Sequence, residues 1–218
     1  MNVFILKLIA LTSMIIDHYG AIFHGDVILY RIIGRLAFPI YAFLLVEGYF
    51  HTRNVKKYGL RLFIFALISE IPFDYAFYGG LSFVHQNIFF TLFLGLVALY
   101  ILDKYKCRKN LLRYVALVFI GLISELFFTD YGLVGIIYIV SFYNWKKSPN
   151  KRGFAVLTLT LLATNIIFAL GIQLYSLLAL PLIYLYNGKL GPKNKLLQWS
   201  FYVAYPLHLF IFYILKGP

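Results

Sequence analysis

Fifteen of the chain's twenty lysines and arginines stand in every second gap between long apolar runs, and the gaps in between carry none. The runs span about 3–23, 28–50, 58–77, 84–102, 111–128, 132–145, 154–170, 172–187 and 197–215. The basic gaps hold Arg53, Lys56 and Lys57, then Lys104, Lys106, Arg108, Lys109 and Arg113. Further along come Lys146, Lys147, Lys151 and Arg152, and finally Lys189, Lys193 and Lys195. Most of these runs have the length a helix needs to cross the hydrocarbon of a bilayer, the sixth and eighth being short. An alternation of connections with and without Lys and Arg is the orientation signature of a multi-span membrane chain. The spacing therefore predicts an all-α integral membrane protein, a single bundle of about nine transmembrane helices with the N-terminus cytoplasmic and the C-terminus outside. A wrong span count would scramble the alternation.

The composition agrees, with 62% of residues hydrophobic and only 13% charged, far from the soluble norm. The net charge of +12 is accordingly read as topology rather than as a nucleic-acid surface. No linker, repeat or soluble insert interrupts the pattern, so residues 1–218 are expected to form one polytopic membrane domain with antiparallel neighbouring helices. The first run lacks a basic start and carries Asp17 and His18, which argues against a cleaved signal peptide. Cys107 is the single cysteine, which excludes an intrachain disulfide, and it reads as an inert loop thiol. Pro181 is expected to kink the eighth segment.

Ionisable groups inside such runs are costly unless they line a polar cavity or pair with one another. Lys7 and His18 lie eleven positions apart in the first run, almost three helical turns, and so fall on nearly one face about 16 Å apart along the axis. Arg31 and Arg35 share a face of the second run, and Glu70 and Asp74 share a face of the third. His85, Gln86 and Asn87 open the fourth run from outside, Glu125 and Asp130 flank the fifth, and His208 lies within the ninth. Lys7 and Glu47 fall nearer the cytoplasm, whereas the acidic and histidine groups gather in the outer half. A purely structural account pairs Arg31 and Arg35 with Glu70 and Asp74. It leaves the histidines unexplained, and their titration near neutral pH suits proton transfer. His24 and His51 read as solvated surface. There is no H-x-x-x-H, H-E-x-x-H or cysteine cluster, so no metal is expected.

The stretches "LKLIALTSMIIDHYGAIF" and "YRIIGRLAFPIYAFLLVEGYFHTRN" resemble the opening of the TraX family, known for acetylating the N-terminus of F-type conjugative pilin. "RLFIFALISEIPFDYAF", "HQNIFFTLFLGL", "YSLLALPLIYLYNGKLG" and "FYVAYPLHLFIFY" continue the resemblance to the C-terminus. That family is in turn similar to membrane acyltransferases that acetylate glycans. Those enzymes carry an Arg or Lys separated by ten intervening residues from an essential His, a spacing that Lys7 and His18 reproduce in "KLIALTSMIIDH".

The resemblance implies an acetyltransferase in the cell membrane that moves acetyl from cytoplasmic acetyl-CoA to an extracytoplasmic acceptor, a protein N-terminus or an envelope glycan. His18 is then the expected base or transient acyl carrier. Asp17, its neighbour, points about 100° away, so Glu70 or Asp74 is the expected partner for the ring. Arg31 or Arg35 is expected to polarise the thioester or to bind donor phosphates. Lys7, with Arg53, Lys56 and Lys57, is expected to attract the donor, while His85, Gln86, Asn87 and His208 are candidates for substrate binding. The competing class is a small proton-linked transporter or lipid-handling protein built on Asp17, His18, Glu70 and Asp74. Such transporters often show repeated halves, which this chain lacks.

Overall fold

The computed structural model describes residues 1–105, 111–192 and 194–217; Cys107, Lys106, Arg108, Lys109 and Lys193 lie outside the described residues. The elements are α1 (Val3–Phe23), α2 (Ile28–Gly34), α3 (Ala37–His51), α4 (Val55–Tyr78), α5 (Ile88–Lys104) and α6 (Leu111–Leu126). They continue with α7 (Gly132–Lys147), α8 (Lys151–Phe168), a 3-10 stretch (Ile172–Leu178), α9 (Ala179–Tyr184) and α10 (Lys195–Lys216). Among the described residues there is no strand, only an isolated bridge between Gln86 and Thr129. Among the described residues, three helical stretches, Val3–Phe23, Ile28–His51 and Lys151–Phe168, are long and apolar enough to cross a membrane.

Asparagine sets where many of these helices begin. The side chains of Asn2, Asn54, Asn87, Asn150 and Asn194 accept from the backbone amides of Ile5, Lys57, Phe89, Gly153 and Leu196. Each bond satisfies a donor that the first helical turn leaves without a partner. Proline accompanies two interruptions, although α4 and α10 run through Pro72 and Pro206. The run expected as one segment over 28–50 breaks at Arg35–Leu36, because Pro39 has no N–H to offer the carbonyl of Arg35. The run over 172–187 starts as a 3-10 stretch and becomes α-helical only at Ala179, two residues before Pro181, where a first helical turn tolerates proline.

Helix α3 is the axis of the bundle. Eleven of its fifteen residues are buried, so it is covered on every side, by α1, α5, α7 and α9. Leu6 and Ala10 of α1, Leu96 and Leu99 of α5, Tyr138 and Phe142 of α7 and Leu209 of α10 complete the same core. The outward face of α6, including Leu111, Val118, Phe119, Leu122 and Leu126, is apolar and exposed.

The two ends of the bundle differ. At one end Glu47, Lys146 and Tyr186 meet, as do Tyr49, Asp103, Tyr143 and Lys147. There too the N-terminal amine donates to the carbonyl of Leu185, and the amide of Val3 donates to Lys189. The basic connections that flank α3 and α4, α7 and α8, and α9 and α10 are thus gathered on one side. At the opposite end Gln86 exchanges backbone hydrogen bonds with Phe128 and Asp130, and the amide of Ser82 donates to Asp74.

Candidate functional site

The break in the second run places two arginines on one carboxylate. Arg31 Nη1 donates to Asp17 Oδ2 at 2.8 Å, and Arg35 Nη2 reaches Asp17 Oδ1 and Oδ2 at 2.8 and 2.9 Å. Arg35 also donates to Gln173 Oε1 at 3.3 Å. Close approach of α1 and α2 makes this possible, and it depends on glycine: a Cβ on Gly34 would overlap the Asp17 carboxylate, and one on Gly20 would overlap Tyr30. The guanidinium of Arg35 lies 5.9 Å from the centre of the Tyr131 ring, which stacks on Phe38. Tyr131 is held at φ +64°, a conformation that L-residues rarely adopt and that the turn into α7 imposes.

The pairing of Arg31 and Arg35 with Glu70 and Asp74, which a purely structural account would give, does not form: the arginines hold Asp17 from the same hairpin instead. Glu70 is used elsewhere, accepting from the backbone and side-chain amides of Asn87. Asn87 is fully buried, caps α5 and donates to the carbonyl of Ala66, so its polar atoms tie α4 to α5. Gln86 acts through its backbone, clamping Phe128 and Asp130. The polar atoms of Asn87, a candidate for substrate binding, are thus committed within the bundle.

His18 has a different partner from the one expected. Its Nδ1 stands 2.7 Å from Nε2 of His208, the two rings nearly parallel at a centroid distance of 5.0 Å. His208 Nδ1 in turn donates to the carbonyl of Ala204 one turn back in α10, at 2.8 Å. The expectation that Glu70 or Asp74 holds the His18 ring is therefore corrected, the partner being an imidazole 190 positions away in the chain. Phe77 and Tyr205 stand edge-on to His18, with ring centres 5.4 and 5.9 Å away.

A cavity of about 540 Å³ runs from the basic end of the bundle towards this histidine pair. Its mouth is lined by Lys7, His51, Arg53 and Arg61, and its inner wall by Met14, Tyr41, Ile88 and Tyr205. Among the described residues, Lys7, Arg53 and Arg61 have no carboxylate within ion-pairing distance. Lys7 instead lies over the ring of Phe201, 5.2 Å from its centre. Glu47 also lines the cavity, but Lys146 at 2.6 Å and the Tyr186 hydroxyl at 2.7 Å already engage it. His51, expected as solvated surface, is exposed on one side yet donates to the carbonyl of Glu47 at 2.9 Å and forms part of the mouth. His24 is bonded to the Tyr19 hydroxyl.

Tyr205 connects cavity and histidines. It forms part of the cavity wall, packs against His18 and His208, and carries a buried hydroxyl with no hydrogen bond of ordinary geometry among the described residues. Neither Tyr205 nor Arg61 stood out in the sequence. One is a tyrosine among nineteen, and the other borders a basic loop whose charges topology alone explains. Among the described residues no group of three or more His, Cys, Asp or Glu side chains is placed to hold a metal ion.

His85 lies in the loop before α5 with its Nε2 3.5 Å from Asp130. The hydrogen bond to Asp130 raises its pKa above the ordinary imidazole value and outweighs the opposing effect of burial. A raised folded value means that the stabilisation is fully present below the ordinary value, about 6.5, and is lost as pH rises through the folded one. The melting temperature of the purified protein should accordingly fall by a small increment as pH rises from about 6 to 8. That increment should vanish in His85→Gln and in Asp130→Asn; an unchanged pH dependence in both variants would refute the pairing as its source.

A family model described as "TraX protein" matches residues 3–216. The chain is 33% identical to "Probable fimbrial assembly protein FimC, serogroup H1" of Dichelobacter nodosus, over 95% of this chain and 93% of that protein. It is 26% identical to "Protein TraX" of Escherichia coli (strain K12), over 73% of this chain and 62% of the relative. An uncharacterized Rickettsia prowazekii protein is 31% identical over 44% of this chain and 36% of its own length. No solved structure gives a significant match.

Proposed function

The chain belongs to the TraX family, and from that premise we propose that it is a membrane-embedded acyltransferase carrying acetyl from cytoplasmic acetyl-CoA to an acceptor on the other side of the cell membrane. The observation that carries this reading is the basic-mouthed cavity, which leads from Lys7, Arg53 and Arg61 to the wall that His18 packs against. A donor bearing several phosphates and a long flexible arm suits a cavity with cations at its mouth and apolar and aromatic residues further in.

The gathering of the basic connections on one side supports a multi-pass bundle of about nine spans with the N-terminus and the cavity mouth cytoplasmic. The exposed apolar face of α6 suits contact with lipid. The acceptor is an amine or hydroxyl, and the fimbrial name of a close-length relative favours the N-terminus of a surface-fibre subunit over a glycan.

The chemistry needs a base for the attacking group and a stabiliser for the oxyanion. His18 takes the proton as the acceptor attacks the thioester carbon, or carries the acetyl group itself in a two-step variant. The Tyr205 hydroxyl, in the cavity wall against His18, is the candidate donor for the oxyanion, while Arg31 and Arg35, both committed to Asp17, supply fixed positive charge on the α1–α2 hairpin. Collapse of the adduct breaks the carbon–sulfur bond and releases CoA.

Detergent-purified protein given acetyl-CoA and cell-envelope extract should release CoA in an acceptor-dependent way. Lys7→Glu and Arg61→Glu should each raise the KM for acetyl-CoA by about tenfold with little change in kcat, the pattern of lost uniform binding. Folded wild-type protein that neither binds nor consumes acetyl-CoA would remove this reading and favour proton-linked transport.

A further inference from the structure

We infer that His208 is a positioning residue that fixes the tautomer of His18 and leaves the Nε2 lone pair of His18 as the proton acceptor. The geometry stands on its own, whereas its catalytic consequence rests on the acyl-transfer reading above.

The carbonyl of Ala204 lies 2.8 Å from His208 Nδ1. A carbonyl only accepts, so Nδ1 of His208 carries a hydrogen. The separation of 2.7 Å between His208 Nε2 and His18 Nδ1 then requires one further hydrogen between the two rings. If His208 supplied it, that ring would be a resident cation. If His18 supplies it, both rings are neutral.

The surroundings decide between these. His208 is 6% exposed and enclosed by the rings of His18, Tyr205 and Phe212. Arg31 of α2 and Arg35 just after it are cations, and Asp17, beside His18 in α1, is already engaged by both. From α4 the ring of Phe77 faces His18, and among the described residues no carboxylate pairs with either imidazole. An uncompensated imidazolium in such a place is strongly disfavoured. The chain of bonds therefore runs from His18 Nδ1–H to His208 Nε2, and from His208 Nδ1–H to the Ala204 carbonyl.

Nε2 of His18 is left unprotonated. As the acceptor's lone pair attacks the thioester, its N–H or O–H proton moves to this nitrogen, and the resulting imidazolium still donates through Nδ1 to His208. When the carbon–sulfur bond breaks, the Nε2 proton passes to the departing thiolate and the starting tautomer returns. An imidazole fills the place that a carboxylate usually takes behind a catalytic histidine.

The test is 15N NMR of histidine-labelled protein in detergent, read beside kinetics, with the His18 signals identified by their loss in His18→Gln. Wild type should show His18 protonated at Nδ1 and unprotonated at Nε2. His208→Gln, whose amide oxygen accepts the same hydrogen, should keep that tautomer and lose less than about tenfold in kcat. His208→Phe should give mixed tautomers and a kcat roughly 100-fold lower, with KM for acetyl-CoA unchanged within about twofold. Wild-type His18 protonated at Nε2 overturns the inference, whether or not His208→Phe folds, as does a His208→Phe protein that keeps both tautomer and kcat. The expected tautomers in protein that transfers no acetyl group would leave the assignment standing and remove the acyl-transfer reading instead.

Discussion

His18→Ala should lower acceptor-dependent release of CoA from acetyl-CoA by roughly 10²- to 10⁴-fold, the range a positioned acid–base group supplies. If acetyl visits the ring, the loss should lie at the upper end, because the covalent route disappears with the imidazole. Binding of acetyl-CoA should survive, since the cations at the cavity mouth belong to Lys7, Arg53 and Arg61, and His18 is beyond the lining. Calorimetric titration of wild type and variant with CoA, beside thiol release, separates the two effects. Equal turnover by a folded His18→Ala protein would end the assignment of His18 as the base. Loss of binding together with turnover would instead make it part of the donor site.

The second large effect concerns folding. Asp17→Ala leaves two guanidinium groups facing each other across an emptied position, Arg35 being largely buried and Arg31 about one-third exposed. Removing one partner of a buried ion pair typically costs about 3–5 kcal/mol, and the partial exposure of Arg31 places the expectation at the lower end. A lowered midpoint of thermal unfolding in detergent, or failure to accumulate in the membrane, is the expected result. Asp17→Asn, which keeps the shape and an accepting oxygen, should fall between. Asp17→Ala combined with Arg35→Met should recover part of the loss, because one uncompensated charge is removed with the carboxylate. If the single variant melts like wild type, the cluster contributes no stability and its charges are free for another role.

The positions of the helices were largely legible, and the reasons are local. Asparagine caps, prolines and the limits of apolar runs act within a few residues, so α1, α4 and α8 begin within about four positions of the expected segments. The break at Arg35–Leu36 had a readable cause in Pro39, yet hydropathy averages across it. The partners inside the bundle were much less legible. That Asp17 points away from His18 follows from helical geometry, but what it meets depends on Gly20 and Gly34 letting α1 and α2 close together. The His18–His208 contact joins the two ends of the chain and leaves no periodic trace, only a shared polarity in two apolar helices. Glu70 and Asp74 attract attention as buried carboxylates, and the structure spends them on holding α4 to Asn87 and Ser82.

The ring of Tyr205 stands between the cavity and the histidine pair. A catalyst that draws its donor from one compartment and serves an acceptor in another amounts to two half-pores placed end to end. Left open where they meet, they would let protons leak down the membrane gradient and let water squander the thioester during every idle interval. On the acyl-transfer reading proposed above, a single aromatic plug at the junction would keep the bilayer insulating between turnovers. On that reading the cost of the reaction to the cell depends as much on how tightly the plug seats as on how fast acetyl moves.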